Sequence, residues 1–471
     1  MAKLEREKQL RRVKTRVDPY LEITEIADRV VKAGGPAILF ENVKGSPYPL
    51  LMGAFGSEQR MAMALSAESL DDVGRDIEGL LELRNYMTIP GVIKSSPKLA
   101  RLLSVFPVDA INPACQEVGE KPDLDSLPIL HCWPGDGGRF ITLPLVFTKD
   151  PETGRQNIGM YRMQVYSKTE TGMHWHLHKD GREIYEKYRK IGGRMPVSVV
   201  VGCDPAVIYA ATAPLPSMID ELSFAGYLRK KPVPVTKCLT NDIKVPANSE
   251  FVLEGYVDVD SPLREEGPFG DHTGYYSEKD YYPVFHVTKM TRKKNPVFMA
   301  TIVGRPPMED CYMGKATERI FLPLIRLMAP EIVDVNFPLE GVFHGCVIVS
   351  IDKKYPSHAQ KVMYYLWGIG QMMYTKMIVI VDKDVDPHDL STVAWKVFNN
   401  IDAGRDIVIS EGPLDALDHA SPLRYTGNRL GIDATRKWKS EGFERDWPED
   451  IVMSDEVKLR VDEIWKELGL D

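Results

Sequence analysis

Apolar residues recur at helical spacing near the start of the chain. Ile23, Ile26, Ala27, Val30 and Val31 fall on one face, and Gly34-Gly35 supplies a stop. The run Pro36-Ala37-Ile38-Leu39-Phe40 then predicts a strand, so the chain opens in α/β style. Pro107, Pro113 and Pro122 make the stretch 106–125 irregular, which predicts a boundary. From about 126 to 305 the pattern changes to short β-rich segments: Phe140–Phe147, Gly159–Tyr166, Val197–Val201, Phe251–Val257 and Val284–Val287. One helical stretch, Asp220–Leu228, interrupts them, and many short strands at such spacing predict a barrel or sandwich. Beyond Gly304-Arg305-Pro306-Pro307 helices and buried strands alternate again, at Ile320–Met328, Cys346–Ile351, His358–Met373 and Met377–Val381. That is the layer pattern of a separate α/β domain.

Composition narrows the class. At 471 residues the chain is too long for one core, and two or three domains are expected. With 44% hydrophobic and 27% charged residues it is an ordinary folded protein. The 59 basic against 67 acidic residues leave a net charge of −8, which disfavours a nucleic-acid binder. The apolar run Met377–Val381 is far short of the roughly 18 residues that span a bilayer. The start MAKLEREKQLRRVKTR has no apolar core and so is no secretory signal peptide. Its basic residues read first as a solvated helix or arm; the sharper alternative is peripheral attraction to anionic lipid headgroups on the inner membrane. Six cysteines without a CxxC pair argue against a disulfide framework or a cysteine zinc site. A soluble, cytoplasmic protein is expected.

Three segments carry candidate chemistry. In Asn157-Ile158-Gly159-Met160-Tyr161-Arg162 an amide and a guanidinium punctuate a strand-like run. In His174-Trp175-His176-Leu177-His178, strand periodicity puts the three histidines on one face and Trp175 and Leu177 on the other. In Glu265-Glu266-Gly267-Pro268-Phe269-Gly270-Asp271-His272-Thr273-Gly274, the glycines and proline force a non-helical path between two carboxylates five positions apart. Taken singly, the histidines read more readily as a solvated strand face, and the carboxylates equally well as turn residues. No P-loop, nucleophile elbow or GxGxxG follows a strand.

Together these segments match a known family. The chain resembles the UbiD-type decarboxylases, reversible (de)carboxylases that use prenylated FMN. The resemblance runs nearly end to end, through DPYLEITEIADRV, GGPAILFENVKG, NIGMYRMQV, DELSFAGYLR, EGPFGDHTGYY, GRPP and LGIDATRKW. EGPFGDHTGYY is the most specific block. Within the family the chain most resembles the branch acting on 4-hydroxy-3-polyprenylbenzoate in bacterial ubiquinone biosynthesis.

The resemblance implies roles residue by residue. Asn157, His178 and Glu221 are similar to the ligands of a divalent ion, usually Mn2+, that bridges the cofactor phosphate; K+ is a further candidate. Met160, Tyr161, Arg162, His174, Trp175, His176, Lys179 and Asp180 are implied to line the cofactor pocket, with Lys361 reaching the phosphate. Arg162, Glu266 and Asp271 resemble the catalytic Arg–Glu–acid trio. The chemistry is consistent with these roles. Losing CO2 from an aromatic ring leaves an electron pair that only a cofactor can accept, while the protein supplies orientation and electrostatics. A guanidinium can hold the substrate carboxylate, with Glu266 steadying the fork. Asp271 is to deliver a proton to the ring carbon, so a raised pKa is expected from burial and the Glu266 charge.

The expected architecture is α/β (α+β) in three parts. These are an N-terminal α/β domain over 1–120, a cofactor-binding split β-barrel of flavin-reductase type over 121–305, and a C-terminal α/β oligomerisation domain over 306–471. The expected function is non-oxidative decarboxylation of 4-hydroxy-3-polyprenylbenzoate to 2-polyprenylphenol. The alternative is a reversible (de)carboxylase of a small aromatic or phenolic acid. Expected partners are the aromatic acid, a prenyltransferase-type protein supplying prenylated FMN, and further copies of the chain as a dimer or hexamer.

Overall fold

The computed structural model describes residues 1–81, 105–176, 179–216 and 219–470. Strand β1 (Leu10–Val13) lies parallel to β2 (Ala37–Phe40), joined through helix α1 (Glu22–Lys32). Helix α1 buries Ile23, Ala27 and Val31, part of the face set by the spacing, and Gly34 follows it at φ +65°. Strand β3 (Leu50–Met52) runs antiparallel to β2, and Phe298–Met299, from far along the chain, adds parallel to β3. The basic N-terminal segment is therefore only partly a helix or arm. Leu10–Val13 is a paired strand, and Arg12 is bound by Glu5 at 2.6 Å and Glu41 at 2.7 Å.

The central region contains β4 (Pro144–Lys149), β5 (Gln156–Met160), β6 (Glu170–Gly172), α2 (Asp180–Ile191), β7 (Arg194–Val201), α3 (Glu221–Leu228), β8 (Phe251–Asp258) and β9 (Val284–Arg292). Its antiparallel sheet has the order β6-β9-β8-β7-β4-β5, with Val118–Glu120 also pairing β9. Among the described residues β6 and β5 are not hydrogen-bonded to each other, so the sheet is open. Val108–Asp109 likewise pairs with Pro234–Lys237. Strand pairing thus assigns 108–120 to the central region, across the expected division at 120. The N-terminal and central sheets share their cores: Ile23 and Phe40 pack with Trp175, Phe251 and Phe285. Phe55 and Met61 pack with Phe147 and Tyr209.

The C-terminal domain begins with helix α4 (Glu309–Met328), eleven residues ahead of its expected start at Ile320. Five strands follow, β10 (Ile332–Asn336), β11 (Cys346–Ile351), β12 (Met377–Asp382), β13 (Ile407–Pro413) and β14 (Thr426–Asp433), with helix α5 (His358–Trp367) after β11. The order is β10-β11-β12-β14-β13, with the three inner strands parallel and the edges antiparallel. Val349, Ile380, Leu366 and Trp367 form its own core. Helix α4 joins the two bodies, since Ile320 packs with the central core and Leu322 with the C-terminal one. No described helix is long and apolar enough to cross a membrane. All six cysteines are free.

Candidate active site

Strand β5 sends its side chains to two sides. Asn157 and Tyr161 face the start of α2: the Asn157 amide donates to Asp180 at 3.3 Å, and the Gly181 amide to the Tyr161 hydroxyl at 3.4 Å. The Tyr161 ring lies over Gly159, where a Cβ would come within 2.3 Å of it, so only glycine permits that placement. Arg162, just past the strand, turns the other way into the EGPFGDHTGYY segment.

That segment folds as two short hairpin pairs, Arg264–Glu266 with Asp280–Tyr282 and Phe269–Gly270 with Tyr276–Ser277. Gly267 links them at φ +92°, a conformation that favours glycine. The connection is pinned from outside: Gly267 donates to the Gln164 side chain at 2.8 Å and Gly270 to Asp136 at 2.7 Å. Glu266 and Asp271 are thereby delivered to opposite ends of one guanidinium. Arg162 donates to Glu266 through Nε at 2.8 Å and Nη2 at 3.1 Å, through Nη2 to Ser277 at 3.1 Å, and through Nη1 to Asp271. Its face stacks 4.6 Å from the centre of the Phe269 ring. Four of its five N–H groups are committed, which leaves one for a ligand. The trio that the resemblance implies is assembled, and the turn reading of the carboxylates is set aside.

Electrostatics here depart from expectation. Burial pushes both carboxyls up, but Glu266 is held down to about 2 by the hydrogen bond from His174 and by the Arg162 charge. Asp271 is also held well below the usual range: burial opposes this, while Arg162 and His272 outweigh it. A raised pKa at Asp271 was expected from burial and Glu266; the cations on both of its oxygens reverse that sign.

The segment Met173–His176 has no ladder partners, so the predicted strand is absent there. Nonetheless His174 and His176 lie together, and Trp175 turns away to pack 5.7 Å from Tyr185. His174 is buried, which excludes a solvated face. Its Nδ1 is 3.2 Å from Glu266, and its Nε2 is 2.6 Å from His176 Nε2. The Glu266 carboxylate only accepts, so His174 Nδ1 donates, His176 Nε2 donates to His174, and His176 Nδ1 remains a lone-pair acceptor. Burial and Arg162 lower the pKa of His174; burial and His174 bring His176 to about 3, so both are neutral.

A second cluster forms on the other side of β5. Asp220 caps α3 by accepting from Ser223 at 2.8 Å, which places Glu221 at the first helical position beside Asn157, 3.0 Å away. Burial lifts Glu221 to about 7, and Asp220 and Asp180 add to it. Asn157 Oδ1, His176 Nδ1, Trp175 Nε1 and Arg182 Nε are buried polar atoms without partners. An oxygen donor without a hydrogen bond, beside a carboxyl with no cation, is the setting a divalent ion fits. The orphaned N–H groups of Trp175 and Arg182 fit an anionic group nearby. Among the described residues no three His, Cys, Asp or Glu side chains form a metal-binding group. His178 lies outside the described residues. Lys179 and Asp180 open helix α2 and are exposed, and Met160 packs on the second core.

Lys361 is not brought here. It sits on α5 and pairs with Glu331, just beyond the far end of α4, so the expected reach to a phosphate is not made within this chain. A cleft of about 790 Å³ walled by Asp71, Glu318, Arg319, Asp334 and His388 also excludes the trio. Sequence reasoning missed Asp136, Gln164 and Ser277, which hold the carboxylate-bearing loop, and the C-terminal side chains Asp310, His344 and Asp415 near it. Only EGPFGDHTGYY signalled that such support was needed.

Comparisons with known proteins cover almost the whole chain. Residues 1–77, 107–306 and 311–434 match the N-terminal, Rift-related and C-terminal domains of 3-octaprenyl-4-hydroxybenzoate carboxy-lyase. An uncharacterized protein of Archaeoglobus fulgidus is 52% identical over 99% of this chain and 97% of its own. Vanillic acid decarboxylase of Sedimentibacter hydroxybenzoicus, in closed form, is similar in structure with a TM-score of 0.85 at 27% identity, over 100% of this chain and 98% of that one. The UbiD-class enzyme HmfF of Pelotomaculum thermopropionicum, in complex with FMN, gives 0.79 at 29% identity over 98% of both. The mixed α/β architecture, the assembled trio and these matches agree: the chain belongs to the UbiD family and is a carboxy-lyase.

Proposed function

We propose that this protein is a prenylated-FMN-dependent decarboxylase of aromatic acids, with 4-hydroxy-3-polyprenylbenzoate as the substrate that its family resemblance favours. The observation that carries the reading is the arrangement about β5. A buried Arg162 is held by Glu266 and Asp271 on one side, and the unpartnered Asn157 Oδ1 lies beside Glu221 on the other. Asn157 and Glu221, with Asp180 beside them, would hold a divalent ion, and Arg182 and Trp175 would face the cofactor's anionic end. The cofactor supplies the electron sink that no side chain offers.

The chain's own residues do the rest. The uncommitted Arg162 N–H orients the substrate carboxylate, and Glu266 fixes the guanidinium by a bidentate grip. Asp271, the acid of the trio, protonates the ring carbon after CO2 leaves. A small phenolic acid is the second reading. It is favoured by polar groups close to the trio, where His174 contacts both His176 and Tyr282, and by the likeness to vanillic acid decarboxylase. The test is CO2 release over 4-hydroxybenzoates with and without a prenyl tail. Protein matured with prenylated FMN and Mn2+ should turn over, and flavin-free protein should not. Full turnover by verified flavin-free protein would sink the proposal.

A further inference from the structure

Decarboxylation of a carboxylate consumes one proton for each CO2 released, and Asp271 rests without that proton. Two side chains donate to it. Arg162 Nη1 holds Oδ2, but a guanidinium does not give up a proton in a protein. His272 holds Oδ1, through its backbone N–H at 2.8 Å and its ring Nδ1 at 3.1 Å. Of the two, only the imidazole can pass a proton on.

The surroundings of His272 come from four segments. Asp271 is its chain neighbour; Asp310 stands at the second position of α4; Asp415 reaches in from the segment after β13. From the C-terminal domain the Phe343 ring covers it at 5.7 Å, and His344 lies beyond, 3.8 Å from Asp415. His344 is brought by burial to about 4, so it is neutral and does not compete as a cation. Burial opposes charge on His272, yet the hydrogen bond to Asp271 and the three carboxylates lift it to about 9. Apart from Asp271, none of these groups was given a role from the sequence.

We propose that His272 is a positioning residue that keeps the acid of the trio supplied with protons, and that Asp310 and Asp415 hold its imidazolium in place. The inference rests on the decarboxylase reading. In the balanced step the ring–carboxylate bond breaks, CO2 leaves, and the electron pair remains at the ring carbon. The O–H of Asp271 closes the new C–H bond. Asp271, again a carboxylate, takes the Nδ1 proton of His272, and His272 regains one from water. The sum is one carboxylate and one proton giving one arene and one CO2. Asp415 belongs to the C-terminal domain, so the relay is complete only with that domain docked on the EGPFGDHTGYY loop.

The test compares full-length, prenylated-FMN-loaded wild type, His272→Gln and Asp415→Asn by the pH dependence of ring-proton exchange. It adds histidine-ring NMR titration of the same proteins, with His272 assigned by its absence in the Gln variant. Wild type should lose rate along a basic limb centred near pH 9. Asp415→Asn should keep the imidazole and move that limb, and the NMR midpoint, down by about one pH unit. His272→Gln should lose the limb and fall by about 10²-fold. A merely structural role would lower rates without moving the limb. His272 titrating near 6.5 in wild type, or an unmoved midpoint in Asp415→Asn, would overturn the proposal. Should His272→Gln fail to fold, the shift of the basic limb in Asp415→Asn decides alone. Should wild type fail to exchange at all, the decarboxylase reading falls, while the NMR titration still reports on the imidazolium.

Discussion

Asn157 and Arg162, five positions apart on one stretch of chain, stand in clusters of opposite electrostatic character. Around Arg162 the charges answer one another: two buried carboxylates share one guanidinium, and both stay ionised in spite of burial. Around Asn157 they do not. Glu221 has Asp220 and Asp180 for company, its pKa is lifted to about 7, and the amide oxygen beside it has no partner. The first cluster is charge-compensated within the protein, and the second is the one proposed to take a cation. A close-packed ion-pair centre can set chemistry, whereas an uncompensated one marks where a charged ligand belongs.

The comparison breaks most directly at its cation. Arg162→Ala strands two buried carboxylates, so the protein should lose about 3–5 kcal/mol, read as a lower urea midpoint, along with detectable CO2 release. A wild-type midpoint would mean that the carboxylates do not depend on Arg162.

Next come two formally identical changes with opposite signs in flavin-free protein. At pH 8, Glu266→Gln should destabilise by on the order of 3 kcal/mol, because its pKa falls from 4.5 to about 2 on folding. Glu221→Gln should stabilise by about 1–3 kcal/mol, because folding raises that pKa from 4.5 to about 7. In loaded protein Glu221→Gln should instead shed cofactor and metal, seen by absorbance and elemental analysis. Shifts of the same sign in the two flavin-free variants would erase the contrast.

The pH dependence sharpens it. The native state binds the extra proton at Glu221, so flavin-free stability should fall as pH rises from 4.5 to 7, and Mn2+ should flatten that slope. Glu266 works the other way: its contribution is present above pH 4.5 and is lost as pH falls toward 2. Urea midpoints across pH 2–8, with and without Mn2+, separate the two.

The smallest effect is expected at Lys361. Its pairing with Glu331 is half exposed and away from both clusters, so Lys361→Ala should change stability by less than about 1 kcal/mol and leave flavin retention untouched. Loss of flavin from that variant would restore it to the site.

The trio was legible only through the family resemblance, which EGPFGDHTGYY and NIGMYR carry because they are local, contiguous blocks. The sequence also carried α1, β2, β11 and β12, where burial is written in apolar periodicity; the third inner strand, β14, it did not mark. What it hid had other causes. Leu10–Val13 is a strand whose Arg12 is neutralised by Glu5 and Glu41, so charge masked its pairing. Helix α2 has Ile184 and Tyr185 inward, but the rest of its twelve residues are largely polar or charged, so its apolar signal is weak. Asp136 and Gln164 act on backbone N–H groups more than 100 residues away, contacts that no spacing rule reveals. The pKa of Asp271 went opposite to expectation because two cations, one of them its own neighbour His272, outweigh its burial.

The proposed proton transfer from Asp271 beneath Arg162 can be read out in D2O. Wild-type protein loaded with prenylated FMN should release CO2 and place one deuteron on the ring carbon that bore the carboxylate. Asp271→Asn should keep its flavin and bind the acid nearly as well, while deuteron incorporation falls by about 10²–10⁴-fold. Incorporation at the wild-type rate in Asp271→Asn would rule Asp271 out as the proton donor and shift that role to another group.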